Sequence, residues 1–83
     1  MLVIYGKNNC IWCEKAKEVA ENFKIEYEYK NVDDNHELAL EVYEKNPDTQ
    51  TFPQIWWREK HIGGCVDFLR EIENTWSYGD EPI

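Results

Sequence analysis

A chain of 83 residues, 42% of them hydrophobic and with a formal charge of −8, has room for one small domain, which at this size buries about 60% of the surface its unfolded chain exposes. The 17 Asp and Glu against 9 Lys and Arg exclude a nucleic-acid or anionic-membrane partner, because binding phosphates needs clustered cations. Three cysteines do not make a secreted disulfide framework, so a reducing, cytoplasmic setting is expected.

Met1 leads directly into a strand-like run, so no secretory leader is expected, and no apolar stretch approaches the roughly 20 residues that span a bilayer. Leu2, Val3, Ile4 and Tyr5 form a continuous apolar run, the pattern of a central strand covered on both faces, and Gly6 ends it. From Cys13 to Phe23, Ala16, Val19, Ala20 and Phe23 recur at spacings of three and four among charged residues, which predicts an amphipathic helix. Ile25, Tyr27 and Tyr29 alternate with Glu26, Glu28 and Lys30, the period of a half-buried strand nearer the sheet edge.

Asp33, Asp34 and Asn35 are capping residues, after which Leu38, Ala39, Val42 and Tyr43 predict a second helix ending near Lys45. A third strand spans Gln54 to Trp57, and a polar turn at Arg58, Glu59 and Lys60 returns the chain through His61 and Ile62 as a hairpin. Adjacent Trp56 and Trp57 must face opposite sides of the sheet. Gly63 and Gly64 break the fourth strand; Phe68, Leu69, Ile72 and Trp76 then mark a last helix, leaving 77–83 as a short C-terminal tail after a domain of residues 1–76. The order βαβαββα closes most simply as an α/β, thioredoxin-like fold: a four-stranded mixed sheet flanked by three helices, with a right-handed first crossover.

The chemistry concentrates where the first strand gives way to the first helix, at Cys10 and Cys13. A helix N-terminus offers partial positive charge and unpaired N–H groups, which favour a thiolate. Cys10 precedes the helix and lies near Lys7 in sequence, so it is the expected nucleophile; Cys13, inside the first turn, is the expected resolving thiol. A CxxC is also half of a zinc site that His36, His61 or Cys65 would complete, but no second CxxC or CxxH appears. Two structural core cysteines are the other alternative, and His36 and His61 show no evident partner.

Taken together, Cys10-Ile11-Trp12-Cys13 after a strand, Thr51-Phe52-Pro53 before a strand, and His61-Ile62-Gly63-Gly64 followed by Asp67 resemble a dithiol glutaredoxin from about Leu2 to Trp76. The resemblance implies a cis peptide bond before Pro53, where the sequence alone would give trans. A cis bond would leave the backbone N–H and C=O of Phe52 free to pair with an extended substrate. The resemblance also implies a glutathione site. Cys65, Val66 and Asp67, after Gly64, match positions that hold the γ-glutamyl end; Lys7 and Thr51 match positions nearer the glycine carboxylate and cysteinyl backbone; Trp12 keeps an aromatic platform. Asp67 also reads as an ordinary first-turn acid satisfying the helix dipole, and the Cys65 thiol reads as a spectator.

The implied activity is that of a glutathione-dependent thiol–disulfide oxidoreductase, a cytoplasmic monomer acting on protein disulfides and glutathione mixed disulfides, ribonucleotide reductase among them. Glutathione is the reducing co-substrate, and no tightly bound cofactor or metal is expected. The family's usual Cys-Pro-Tyr-Cys is replaced here by Ile11 and Trp12 between the cysteines, which restores a backbone N–H beside Cys10. Two alternatives follow from this departure and from the fold: a dimer holding a 2Fe–2S cluster, and an electron donor fed by thioredoxin reductase.

Overall fold

The computed structural model describes the backbone of residues 1–79 and the side chains of residues 1–74. The elements are β1 (Leu2–Gly6), α1 (Ile11–Asn22), β2 (Tyr27–Asn31), α2 (His36–Lys45), β3 (Gln54–Trp57), β4 (Lys60–Gly63) and α3 (Cys65–Gly79). The strands lie in the order β2-β1-β3-β4. β1 runs parallel to β2, with Leu2 opposite Tyr27, and antiparallel to β3, with Leu2 opposite Trp57. β3 and β4 form a hairpin with an irregularity between Ile55 and Trp56. This is the mixed sheet that the βαβαββα order requires.

β1 is apolar throughout because both its faces are covered. Leu2 and Ile4 join Ala16 and Ala20 of α1, Ile55 of β3 and Phe68 and Ile72 of α3 in one dry cluster, all buried. Trp57 packs edge-on against Phe68 at 5.6 Å between ring centroids, which brings it onto this face. Val3, Tyr5 and Trp56 alternate to the other face, where Tyr5 meets Trp56 edge-on at 5.4 Å. That face belongs to α2, whose one fully buried side chain is Val42.

The departures from the sequence pattern have local causes. α1 starts at Ile11 rather than near Cys13 because its first residues, Ile11 and Trp12, point to solvent and carry no periodic signal. β2 starts at Tyr27 rather than Ile25, since the Ile25 N–H is drawn back to the Ala20 carbonyl at 2.8 Å, closing the helix end. Phe23, Tyr43 and Leu69, placed on apolar stripes, are exposed. The β3–β4 turn uses positive φ at both Arg58 and Glu59 (57° and 68°), the backbone twist that matches a two-residue hairpin. α3 continues past Trp76 to Gly79, into the segment read as a tail; the side chain of Trp76 and residues 80–83 lie outside the described residues.

Candidate active site

β1 ends at Gly6, over which the Tyr29 ring sits so closely that a Cβ would collide with its hydroxyl. The loop that follows is pinned to the end of β2. The Asn8 N–H donates to Asp33 Oδ2 at 2.8 Å, and Asn31 Nδ2 donates to Asn8 Oδ1 at 2.9 Å. Asn9, at φ 54°, turns the chain into α1, and Cys10 becomes that helix's N-cap.

Cys10 takes extended backbone angles (φ −125°, ψ 103°), and its Sγ accepts the Cys13 N–H at 3.2 Å. A sulfur thus occupies the position that a Ser or Asp oxygen fills in an ordinary cap, and it receives one of the orphan donors of the first turn. Cys10 and Cys13 are joined as a disulfide, with Cα atoms 5.2 Å apart. Cys10 is half-buried whereas Cys13 is fully buried. Of the two residues, Cys10 is the more accessible from outside.

The Phe52–Pro53 peptide bond is cis, and the Phe52 carbonyl oxygen lies 3.8 Å from Cys10 Sγ. The segment before β3 is held from behind by Gln54 and His61, a pairing that the sequence did not show. Buried Gln54 donates through Nε2 to the Thr51 carbonyl at 2.7 Å, and its Oε1 lies 2.8 Å from His61 Nε2. His61 also stacks on Trp56 at 4.6 Å. His61 therefore has a partner after all: it closes a relay from β4 to the Thr51 loop, visible only once the hairpin brings the two strands together.

At the third motif, Gly63 adopts φ 118°, and a Cβ there would lie 2.5 Å from Asp67 Oδ2. Asp67 reaches back to the start of its own helix, accepting the Gly64 N–H at 3.2 Å. Its other oxygen is 3.9 Å from Arg70 Nη1, an exposed contact. The first-turn acid reading is thus realised as half of a capping arrangement. Cys65 is 4% exposed; burial pushes its thiol above the ordinary value, with Lys15 opposing weakly.

Trp12, Thr51, Phe52, Pro53, Gly64, Cys65, Val66 and Asp67 come together around one groove of about 250 Å³ beside the redox pair. Lys7 does not line it and is exposed. Trp12 and Val66 stand half out of water at 54% and 56%, forming an apolar rim. Among the described residues no group of three or more His, Cys, Asp or Glu is placed to hold a metal ion, and no helix is long and apolar enough to cross a membrane. Chemically, the arrangement offers one attackable sulfur, a second sulfur in bonding reach, and a groove alongside for an extended partner.

Comparison with known proteins places these features in a wider set. The glutaredoxin family profile matches residues 2–62. Glutaredoxin 1 of Salmonella typhimurium is 40% identical over 73 residues, covering 80% of this chain and 83% of its own. The reduced Escherichia coli glutaredoxin structure superposes with a TM-score of 0.77 at 27% identity, covering 92% of this chain and 96% of that one. A buckwheat glutaredoxin–glutathione complex shares the fold, with a TM-score of 0.74 at 22% identity and coverage of 89% and 69%.

Proposed function

The chain belongs to the glutaredoxin family of thiol–disulfide oxidoreductases, and from that premise we propose that it reduces protein disulfides and glutathione mixed disulfides with glutathione as the reductant. The observation that carries this reading is the groove. Eight residues from three separated segments line a single channel beside Cys10, and the buckwheat protein of the same fold was solved with glutathione bound.

In the proposed cycle the Cys10 thiolate attacks a substrate disulfide, forming a mixed disulfide and releasing one substrate thiolate, which takes up a proton. Cys13 then attacks Cys10 Sγ, the second substrate sulfur leaves as thiolate, and the Cys10–Cys13 disulfide remains. Glutathione thiolate opens that bond at Cys10, the more accessible of the two, returning Cys13 as a thiol. A second glutathione attacks the glutathionyl sulfur, releasing glutathione disulfide and the Cys10 thiolate.

The tripeptide lies along the groove, its cysteinyl backbone against Thr51 and Phe52 beside Pro53 and its γ-glutamyl end on the Gly64–Cys65–Val66 turn. Trp12 covers one side. Lys7, beyond the groove lining, supplies positive charge toward the glycine carboxylate. For Asp67 to meet the ligand ammonium it shares a carboxylate already accepting from Gly64, which a two-oxygen group accommodates. We assign the protein as a cytoplasmic monomer, with ribonucleotide reductase among its protein substrates on the family resemblance alone.

Coupled assays with glutathione reductase and with thioredoxin reductase test the reading. Turnover is expected with the first; turnover with thioredoxin reductase alone overturns glutathione dependence. Cys10→Ser is expected to abolish every activity, whereas Cys13→Ser keeps reduction of glutathione mixed disulfides and loses most protein-disulfide reduction.

A further inference from the structure

A second cavity, about 490 Å³ against 250 Å³ for the Cys10 groove, opens on the opposite face of the sheet between β1, β3 and the end of α2. The two share no lining residue. Its floor is aromatic and aliphatic: Val3, Tyr5 and Trp56 all project to this face. Tyr5 and Trp56 meet edge to face; Tyr5 is buried, so half-buried Trp56, with His61 stacked on it at 4.6 Å, supplies the aromatic surface at the opening.

The polar groups divide into committed and uncommitted ones. Lys30 Nζ is 3.1 Å from Glu41 Oε2, and the Tyr5 hydroxyl donates to the same oxygen. That carboxylate is therefore spoken for, and it is held below its ordinary value by the Tyr5 hydrogen bond and then by Lys30. Lys45, the last residue of α2, makes no ion pair among the described residues, and its ammonium stands 5.6 Å from the centre of the Trp56 ring. Glu59 sits at the rim on the exposed hairpin turn, where water screens it.

Small-molecule sites are concave, mostly apolar, about 300–1,000 Å³, and carry a few converging polar groups. A ring surface with an ammonium above it that makes no ion pair among the described residues, and acts on Glu41 only through its charge, calls for a planar ring bearing a single negative charge: the ring stacks on Trp56, and the anion replaces the weak cation–π contact with a charge-assisted hydrogen bond. The overall negative charge opposes such a ligand only weakly, since fields are screened beyond about 8 Å at physiological ionic strength, and at the cavity itself Lys30 and Lys45 balance Glu41 and Glu59. We propose that this cavity binds a small aromatic carboxylate, with its ring on Trp56 and its carboxylate on Lys45. The assignment is independent of the glutathione reading, because it uses the other face of the sheet.

Titration of the full chain with indole-3-acetate, indole and tryptamine, followed by two-dimensional proton–nitrogen NMR, separates ring from charge. Saturable shifts are expected at the Trp56 indole N–H and at the amides of Val3 and Tyr5, strongest with indole-3-acetate. Exposed Lys45 tolerates replacement without disturbing the core, and Lys45→Gln is expected to weaken indole-3-acetate about tenfold, the worth of one charge-assisted hydrogen bond, while leaving indole unchanged. Tryptamine binding as tightly as indole-3-acetate, an unaltered Lys45→Gln titration, or shifts absent from Trp56 each overturns the assignment.

Discussion

On the α1/α3 face of the sheet, Leu2, Ile4, Ile55, Phe68 and Ile72 close over Ala16 and Ala20 with almost no exposed surface. On the α2 face, one helical side chain, Val42, is fully buried, Leu38 and Ala39 are half-buried, and Glu41 adds polar contacts to Tyr5 and Lys30. The redox pair is anchored on the first face, since Cys13 and Ala16 belong to the same buried stripe of α1. A catalytic geometry that must not drift is thus tied to close packing, whereas the helix opposite is held by few and replaceable contacts. Apolar packing resists displacement in every direction; a hydrogen-bonded clamp holds only while its partners keep their charge and alignment.

The sharpest way to test the contrast is to truncate a fully buried side chain on each side. Phe68→Ala is expected to cost about 3–5 kcal/mol of unfolding free energy, as a large buried side chain leaves a cavity under the sheet. Denaturant unfolding measures it. Val42→Ala removes two carbons rather than six and is expected to cost about 1–2 kcal/mol; an equal loss from this smaller truncation would erase the distinction. Hydrogen exchange then sharpens it: the amides of α2 should open at lower free energy than those of β1 and α1, and uniform protection across all three would contradict the polar-clamp account.

Tyr5→Phe is the smallest change, expected to cost about 1 kcal/mol at neutral pH after allowance for the partly exposed Glu41. Its pH dependence has a definite sign. The Glu41 carboxyl is held below its ordinary 4.5, first by the Tyr5 hydroxyl and then by Lys30, so the stability it brings is fully present above 4.5. That contribution fades as the pH falls through the lowered folded-state value. The margin of the parent protein over Tyr5→Phe should therefore shrink in acid, and a margin that grew on acidification would refute the clamp.

Much of this was legible in the chain itself. The unbroken run Leu2–Tyr5 told of a strand covered twice, and the alternation through Tyr27 and Tyr29 told of one nearer the edge, because burial imprints its period on local sequence. The three motifs located the groove. The cis bond before Pro53 came from the resemblance and from no local preference. What the sequence hid was non-local: Tyr5 meets Glu41 and Gln54 meets His61 only after the sheet has assembled, and each is an ordinary polar residue beforehand. The start of α1 was blurred for the converse reason, since Ile11 and Trp12 are apolar yet face water.

Cys65 lines the groove beside Cys10 and Cys13, and for the proposed exchange a third thiol there would ordinarily be a rival. Were it ionised and accessible, it would intercept the mixed disulfide on Cys10 and divert electrons into a dead-end pairing. Its burial, which also pushes its thiol above the ordinary value, disfavours the thiolate, so in the proposed cycle it would behave as insulation around a conductor. With that sheath in place, the three cysteines would still yield, in the proposed cycle, a single two-electron circuit entered and left through Cys10.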